Sequence, residues 1–161
     1  SSALFACQVG GPMYAFHEQQ ANALRSDAMI YSPDVPVFRD DEHRKLEEPF
    51  RVAFISAAAC DARDVAPLDQ PKIAGAMGAR IVKVLATARH GHDALVLGAW
   101  GCGNFANDPG LIAELFRQAL HGPFRGAFRH VTFAIVDPSA DQPCLHQFRL
   151  ALSPQAPRGH N

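Results

Sequence analysis

The run Ala94-Leu95-Val96-Leu97-Gly98-Ala99-Trp100-Gly101-Cys102-Gly103-Asn104-Phe105-Ala106-Asn107-Asp108-Pro109 passes from four aliphatic residues, through glycines at 98, 101 and 103, to an Asp-Pro pair. Residues 94–97 lack polar alternation, the pattern of a strand covered on both faces. Asp108-Pro109 has the form of a helix start, an N-cap carboxylate followed by proline at the first helical position. Leu111, Ile112, Leu115, Phe116 and Ala119 continue from it as an apolar stripe at helical spacing. Glycines between a strand end and a helix start admit positive φ and bring backbone N–H groups close to a ligand, which suits a phosphate. The Gly-Lys-Ser/Thr ending of a P-loop is absent, and the spacing G-x-x-G-x-G differs from the dinucleotide fingerprint. ATP hydrolysis and hydride transfer therefore lose support.

Two more apolar runs flank this one, Val52-Ala53-Phe54-Ile55 before it and Val131-Thr132-Phe133-Ala134-Ile135-Val136 after it. Between the first two, Ile73, Met77, Ile81, Val84, Leu85 and Ala88 keep helical spacing, with Pro71 to open the helix and His90-Gly91-His92 to close it. The order strand, helix, strand, helix, strand predicts an α/β fold with right-handed crossovers and a ligand at the carboxyl ends of the strands. Residues 52–56, 94–97 and 131–136 are expected to share one sheet, with the helix of residues 71–90 packed on a face. Residues 2–8 and 14–24 read as weak helices and 144–152 as a last one. Residues 29–39 read as extended because of the Ser32-Pro33 and Val35-Pro36 steps. Residues 1–152 are expected to form one domain and 153–161, with two prolines and a glycine, a flexible end.

Composition narrows the partners. A chain of 161 residues suits a single domain that buries roughly 70% of the surface its unfolded chain exposes. With 48% hydrophobic and 19% charged residues it is not a disordered sequence, and no apolar run approaches the roughly 20 residues of a membrane-spanning helix. Lys+Arg number 15 against 16 Asp+Glu, so no global positive field exists to hold DNA or RNA. Cys7, Cys60, Cys102 and Cys144 are widely spaced, which suits free thiols in a reducing cytoplasm better than a zinc site or a disulfide framework. The eight histidines form no ligand constellation, and no metal or cofactor is expected. The start Ser1-Ser2-Ala3-Leu4-Phe5, without Met or a signal-like region, is expected to be the remainder of something longer.

Two segments carry a family resemblance. Gly98-x-Trp100-Gly101-Cys102-Gly103-x-Phe105-x-x-Asp108 resembles the diphosphate-binding loop of poly(ADP-ribose) glycohydrolases. Tyr31-Ser32-Pro33-Asp34-Val35-Pro36-Val37-Phe38-Arg39-Asp40-Asp41 is similar to a segment of their microbial type, and the likeness runs from about residue 1 to 137 in matching order. It implies a macrodomain-like α/β/α sandwich with a mixed, largely parallel central sheet, incomplete at the N-terminus. It also implies that ADP-ribose or its polymer is the ligand. Gly98 lies in this loop; backbone amides of Gly101, Cys102, Gly103 and Asn104 would hold the diphosphate, and Phe105 would pack near the distal ribose. Adenine would lie around Ile135 and Asp137. Trp100 is expected to be core packing, and Asp108 a helix cap.

Cleavage of a ribose–ribose bond needs a carboxylic acid to protonate the leaving oxygen and a group to stabilise the oxocarbenium-like carbon. The family supplies these from a Gly-Gly-Gly loop followed by Gln-Glu-Glu. That signature is not in this chain, and no catalytic residue is assigned. Gly10-Gly11 and His17-Glu18-Gln19-Gln20 imitate it only loosely, so Glu18 reads as a surface charge. Asp34, Asp40, Asp41 and Asp61 show no acid/base spacing, and Arg39 with Asp40 and Asp41 reads as a turn with local ion pairs. Three functions stay open: the ADP-ribose-binding domain of a glycohydrolase whose intact protein cleaves the polymer, a non-catalytic ADP-ribose reader, and a hydrolase with Cys102 as nucleophile. For the last, His90 and His92 lie at the wrong end of the strand to act as bases.

Overall fold

The computed structural model describes Leu24 and residues 26–153. The weak helices read at residues 2–8 and 14–24, Cys7, Gly10-Gly11, Glu18 and the end beyond residue 153 lie outside the described residues, Leu24 excepted. The chain divides into two compact units, with residues 26–58 in the first and Leu24 and residues 59–153 in the second.

In the first unit, β1 (Met29–Arg39) and β2 (Lys45–Ala57) pair antiparallel. The two X-Pro steps keep β1 extended, and the pairing slips between Ser32 and Val35, where Asp34 takes φ +55° and its carbonyl accepts from Arg51 Nη1 at 3.0 Å. The turn is closed by Asp40, whose Oδ1 accepts the N–H groups of Glu42 and Arg44 and whose Oδ2 pairs with Arg44 at 2.7 Å. The ion pairs of this turn are thus Asp40–Arg44 and Glu42–Arg44, and Arg39 instead donates to the His43 carbonyl.

The second unit runs through a 3₁₀ turn (Pro67–Asp69), α1 (Lys72–Ala88), β3 (Ala94–Leu97), α2 (Pro109–His121), β4 (His130–Phe133) and α3 (Pro143–Leu152). β3 and β4 pair in parallel, from Ala94 against His130 to Leu97 against Phe133. The helices expected at residues 71–90 and 144–152 thus form within two residues of those bounds, and the stripe from Leu111 to Ala119 lies on α2. The expectation of one shared sheet is corrected. Among the described residues there are two two-stranded sheets, and residues 52–56 belong to the hairpin. A five-residue turn stapled by Asp40 makes the local antiparallel partner cheap in loop-closure entropy. β4 is also shorter than expected, ending at Phe133 after one further bond from Ala134 N–H to the Leu97 carbonyl at 2.7 Å.

The core of the second unit follows the helical stripes. Ile73, Met77, Ile81 and Leu85 of α1 meet Ile112, Ala113 and Phe116 of α2 and Phe148 of α3. Phe133 carries the sheet into this cluster, its ring 5.2 Å from Phe116 and 5.5 Å from Phe148. Arg80 shares the buried face of α1 at 1% exposure, its guanidinium donating to the Leu24 carbonyl and to Cys60 Sγ. The reading of residues 94–97 as covered on both faces is corrected as well: Leu95 and Leu97 pack inward, but Val96 is 78% exposed. One face of the parallel pair therefore carries the packing energy. Phe116→Ala is expected to cost about 3–5 kcal/mol of unfolding free energy and Val96→Ser within about 0.5 kcal/mol of nothing, by urea titration; equal costs would put Val96 in the core.

Candidate functional site

The loop between β3 and α2 is built from two turns and a cap. Cys102 N–H donates to the Ala99 carbonyl at 3.0 Å, closing a turn with Gly101 at φ +76°. A left-handed residue at the third turn position favours glycine, and space requires it too. A Cβ on Gly101 would lie 2.5 Å from Asn107 Nδ2 and 2.7 Å from Ala59 Cβ. Ala106 N–H then donates to the Gly103 carbonyl at 2.9 Å, with Ala106 itself at φ +50°. For a residue with a Cβ that conformation costs on the order of 1 kcal/mol, so neighbouring contacts must hold it. Asp108 closes the segment as read from the sequence, its Oδ1 accepting from Leu111 N–H at 3.0 Å at the start of α2.

Asn107 holds the loop. It is 2% exposed, and its Nδ2 donates to the Cys60 carbonyl at 2.8 Å and to the Gly101 carbonyl at 3.0 Å, while its own N–H reaches Gly101 O at 3.1 Å. Ala62 N–H donates to the Phe105 carbonyl at 2.8 Å. Residues 59–65 and 98–108 are thus laced together by hydrogen bonds at Phe105 and Asn107, on the helix side of the glycine turn. The sequence reading passed over Asn107; its one signal there is a side-chain amide between a glycine-rich run and a helix cap.

This lacing leaves amides open. Among the described residues the N–H groups of Gly101, Gly103 and Asn104 have no acceptor, and Gly103 and Asn104 are exposed. A Cβ on Gly103 would meet nothing within 4 Å. Cys102 differs from the expectation, because its N–H is consumed by the turn. Its thiol faces that of Cys144, and burial with this neighbour pushes it up to about 12. A thiol so protonated at neutral pH is a poor nucleophile. His90 and His92 stand before β3, whereas the loop follows it.

The remaining expected residues divide. Gly98 is half-buried at the end of β3. Trp100 packs on the core as read, and Phe105 packs on it also. Arg63 lies over the Phe105 ring, 6.0 Å from guanidinium carbon to centroid. Ile135 turns inward to the core while Val136 is 95% exposed. Asp137 accepts the N–H groups of Cys144 at 2.8 Å and Leu145 at 3.3 Å at the start of α3, and the Ser139 hydroxyl at 2.7 Å. The Ser139 bond chiefly holds its carboxyl below the usual carboxylate range. Among the described residues Cys60, Cys102 and Cys144 form no disulfide with one another, and no group of three His, Cys, Asp or Glu could hold a metal ion. No described helix is long and apolar enough to cross a membrane.

Comparison with known proteins finds a family model, the microbial-type PARG catalytic domain, matching residues 1–40. No curated protein matches. Among solved structures the chain is similar to poly(ADP-ribose) glycohydrolase from Deinococcus radiodurans in complex with ADP-ribose, at 42% identity and a TM-score of 0.83 over 92% of this chain and 61% of that one. The apo form of the same protein matches at 41% and 0.81, over 92% and 62%. Poly(ADP-ribose) glycohydrolase from Thermomonospora curvata matches at 49% and 0.80, over 87% of this chain and 53% of that one. The chain thus spans about 61% of the length of the first of these. Asn107→Ala is expected to cost about 1–3 kcal/mol, since one buried and one partly buried hydrogen bond are lost; denaturant unfolding within about 0.5 kcal/mol of wild type would remove Asn107 from its role in the loop.

Proposed function

Because this chain belongs to the microbial-type poly(ADP-ribose) glycohydrolase family, with its macrodomain-like α/β fold, we propose that it is the ADP-ribose-binding domain of such an enzyme. Residues 1–152 are taken as that domain, and the intact protein as the catalyst that cleaves ribose–ribose O-glycosidic bonds in poly(ADP-ribose). The observation that carries the reading is the strand-to-helix loop with open amides at Gly101, Gly103 and Asn104. Such donors can bind an anion without any net positive charge on the chain, through N–H dipoles next to a helix start that adds its own field. In this reading Gly98 brings the chain out of β3, Cys102 closes the turn beneath the diphosphate, and Phe105 borders the distal ribose. Ile135 and Asp137 border the adenine, the carboxylate of Asp137 acting by fixing the start of α3. Free thiols suit a cytoplasmic protein.

Binding and cleavage are separate claims. A diphosphate cradle holds ground state and transition state alike, whereas cleavage needs an acid at the glycosidic oxygen. Asp61 is a poor candidate for that acid, since Arg63 holds its carboxylate at 2.8 Å. A non-catalytic reader would bind as well and cleave nothing even as the intact protein. The Cys102 hydrolase is set aside on its protonated thiol. Calorimetry with ADP-ribose tests the binding: the chain is expected to bind, and Gly103→Val, which fills the open space before the Asn104 amide, to bind at least about tenfold more weakly while folding normally. Unchanged affinity in the folded variant would take the loop out of the site.

A further inference from the structure

We propose that Arg63 is a phosphate-contacting residue of this cradle, its guanidinium fixed by the buried Asp61 carboxylate beside Phe105 so that its outer edge meets the diphosphate of ADP-ribose. The inference rests on the binding function proposed above. Its ground is a side chain more ordered than its exposure requires. Asp61 is 2% exposed although ionisable, and a carboxylate is kept charged at such a site only by strong partners. Arg63 is one such partner: its Nε donates to Oδ1 at 3.0 Å, its Nη2 to Oδ2 at 2.8 Å, and its backbone N–H to Oδ1 at 3.3 Å. Two parallel bonds fix the plane of the guanidinium as well as its position.

That plane is held at the cradle. Residues 61–65 are fastened by Gln70, whose Nε2 donates to the Ala62 and Val65 carbonyls, and Ala62 is bonded to Phe105. Phe105 follows Asn104, one of the residues with an open amide. Half of the Arg63 side chain, 54%, remains in solvent, and Nη1 has no acceptor among the described residues. Asp61 and the nearby Asp64 offset its charge at a distance. What Arg63 offers is therefore directed N–H donors at short range, matched to phosphate oxygens, rather than a long-range field. A guanidinium serving only to neutralise Asp61 has no need to stand over the ring that flanks the open amides.

The test uses the whole chain with ADP-ribose, by calorimetry and by ³¹P NMR of the bound diphosphate. Arg63→Gln is expected to weaken binding at least tenfold and to return one bound phosphorus resonance toward its free position. Because Arg63→Gln takes the guanidinium away from the buried Asp61 charge, Asp61→Asn/Arg63→Gln is measured beside it, with thermal melts to show folding; it carries no buried carboxylate at position 61 and is expected to show the same loss and the same resonance shift. Affinity within twofold of wild type in a folded variant, or a bound ³¹P spectrum unaltered by the substitution, would overturn the role of Arg63 and leave the loop reading standing. No binding by the unsubstituted chain would instead overturn the loop reading, and this inference with it.

Discussion

The hydrogen bonds of Asn107 are the constraint on which the candidate site depends. A loop that contains Gly101 at φ +76° and Ala106 at φ +50° is not the lowest-energy path between a strand and a helix. It persists because one buried amide bonds to the Gly101 carbonyl within the loop and to the Cys60 carbonyl outside it. Everything on either side follows. Toward the helix, Asp108 caps α2 and sets Ile112 and Phe116 into the core; toward the strand, Leu95 and Leu97 anchor the other end. The loop is strained between two well-packed ends, and the N–H groups of Gly101, Gly103 and Asn104 are left without an acceptor among the described residues.

The proposed cradle needs no net positive charge, consistent with a chain whose formal net charge is -1. In the proposed function the attraction is built locally from amide dipoles and a helix start, with the Arg63 guanidinium proposed at the rim. The cost is met in the fold rather than on binding, since the donors are held in place before any ligand arrives.

Much of this was legible in the residues. The aliphatic run, the three glycines and Asp108-Pro109 specify strand, loop and helix start because each rests on local backbone chemistry. The family likeness read from residues 98–108 and 31–41 agrees with the solved structures of PARG. Less legible was whatever depends on partners distant in sequence. Residues 52–55 read like a strand of the parallel sheet, but pair in a hairpin set by the Asp40 turn. Val96 looks as buried as Leu95, because the side a strand residue faces depends on what packs there. Cys102 appears as one more loop amide until its bond to Ala99 is seen. Asn107, Asp61 and Arg63 are ordinary polar residues in the sequence, and their roles arise from contacts spanning 47 residues in the case of Asn107 and Cys60.

The central claim is that the fold presents chosen backbone amides of this loop to a diphosphate, and residue-resolved amide hydrogen exchange with and without ADP-ribose tests it most directly. Saturating ligand is expected to slow exchange at Gly101, Gly103 and Asn104, while Cys102, already bonded to Ala99, changes little. Exchange at Gly101, Gly103 and Asn104 that stays unchanged while the ligand is bound, with protection appearing elsewhere in the chain, would contradict the account.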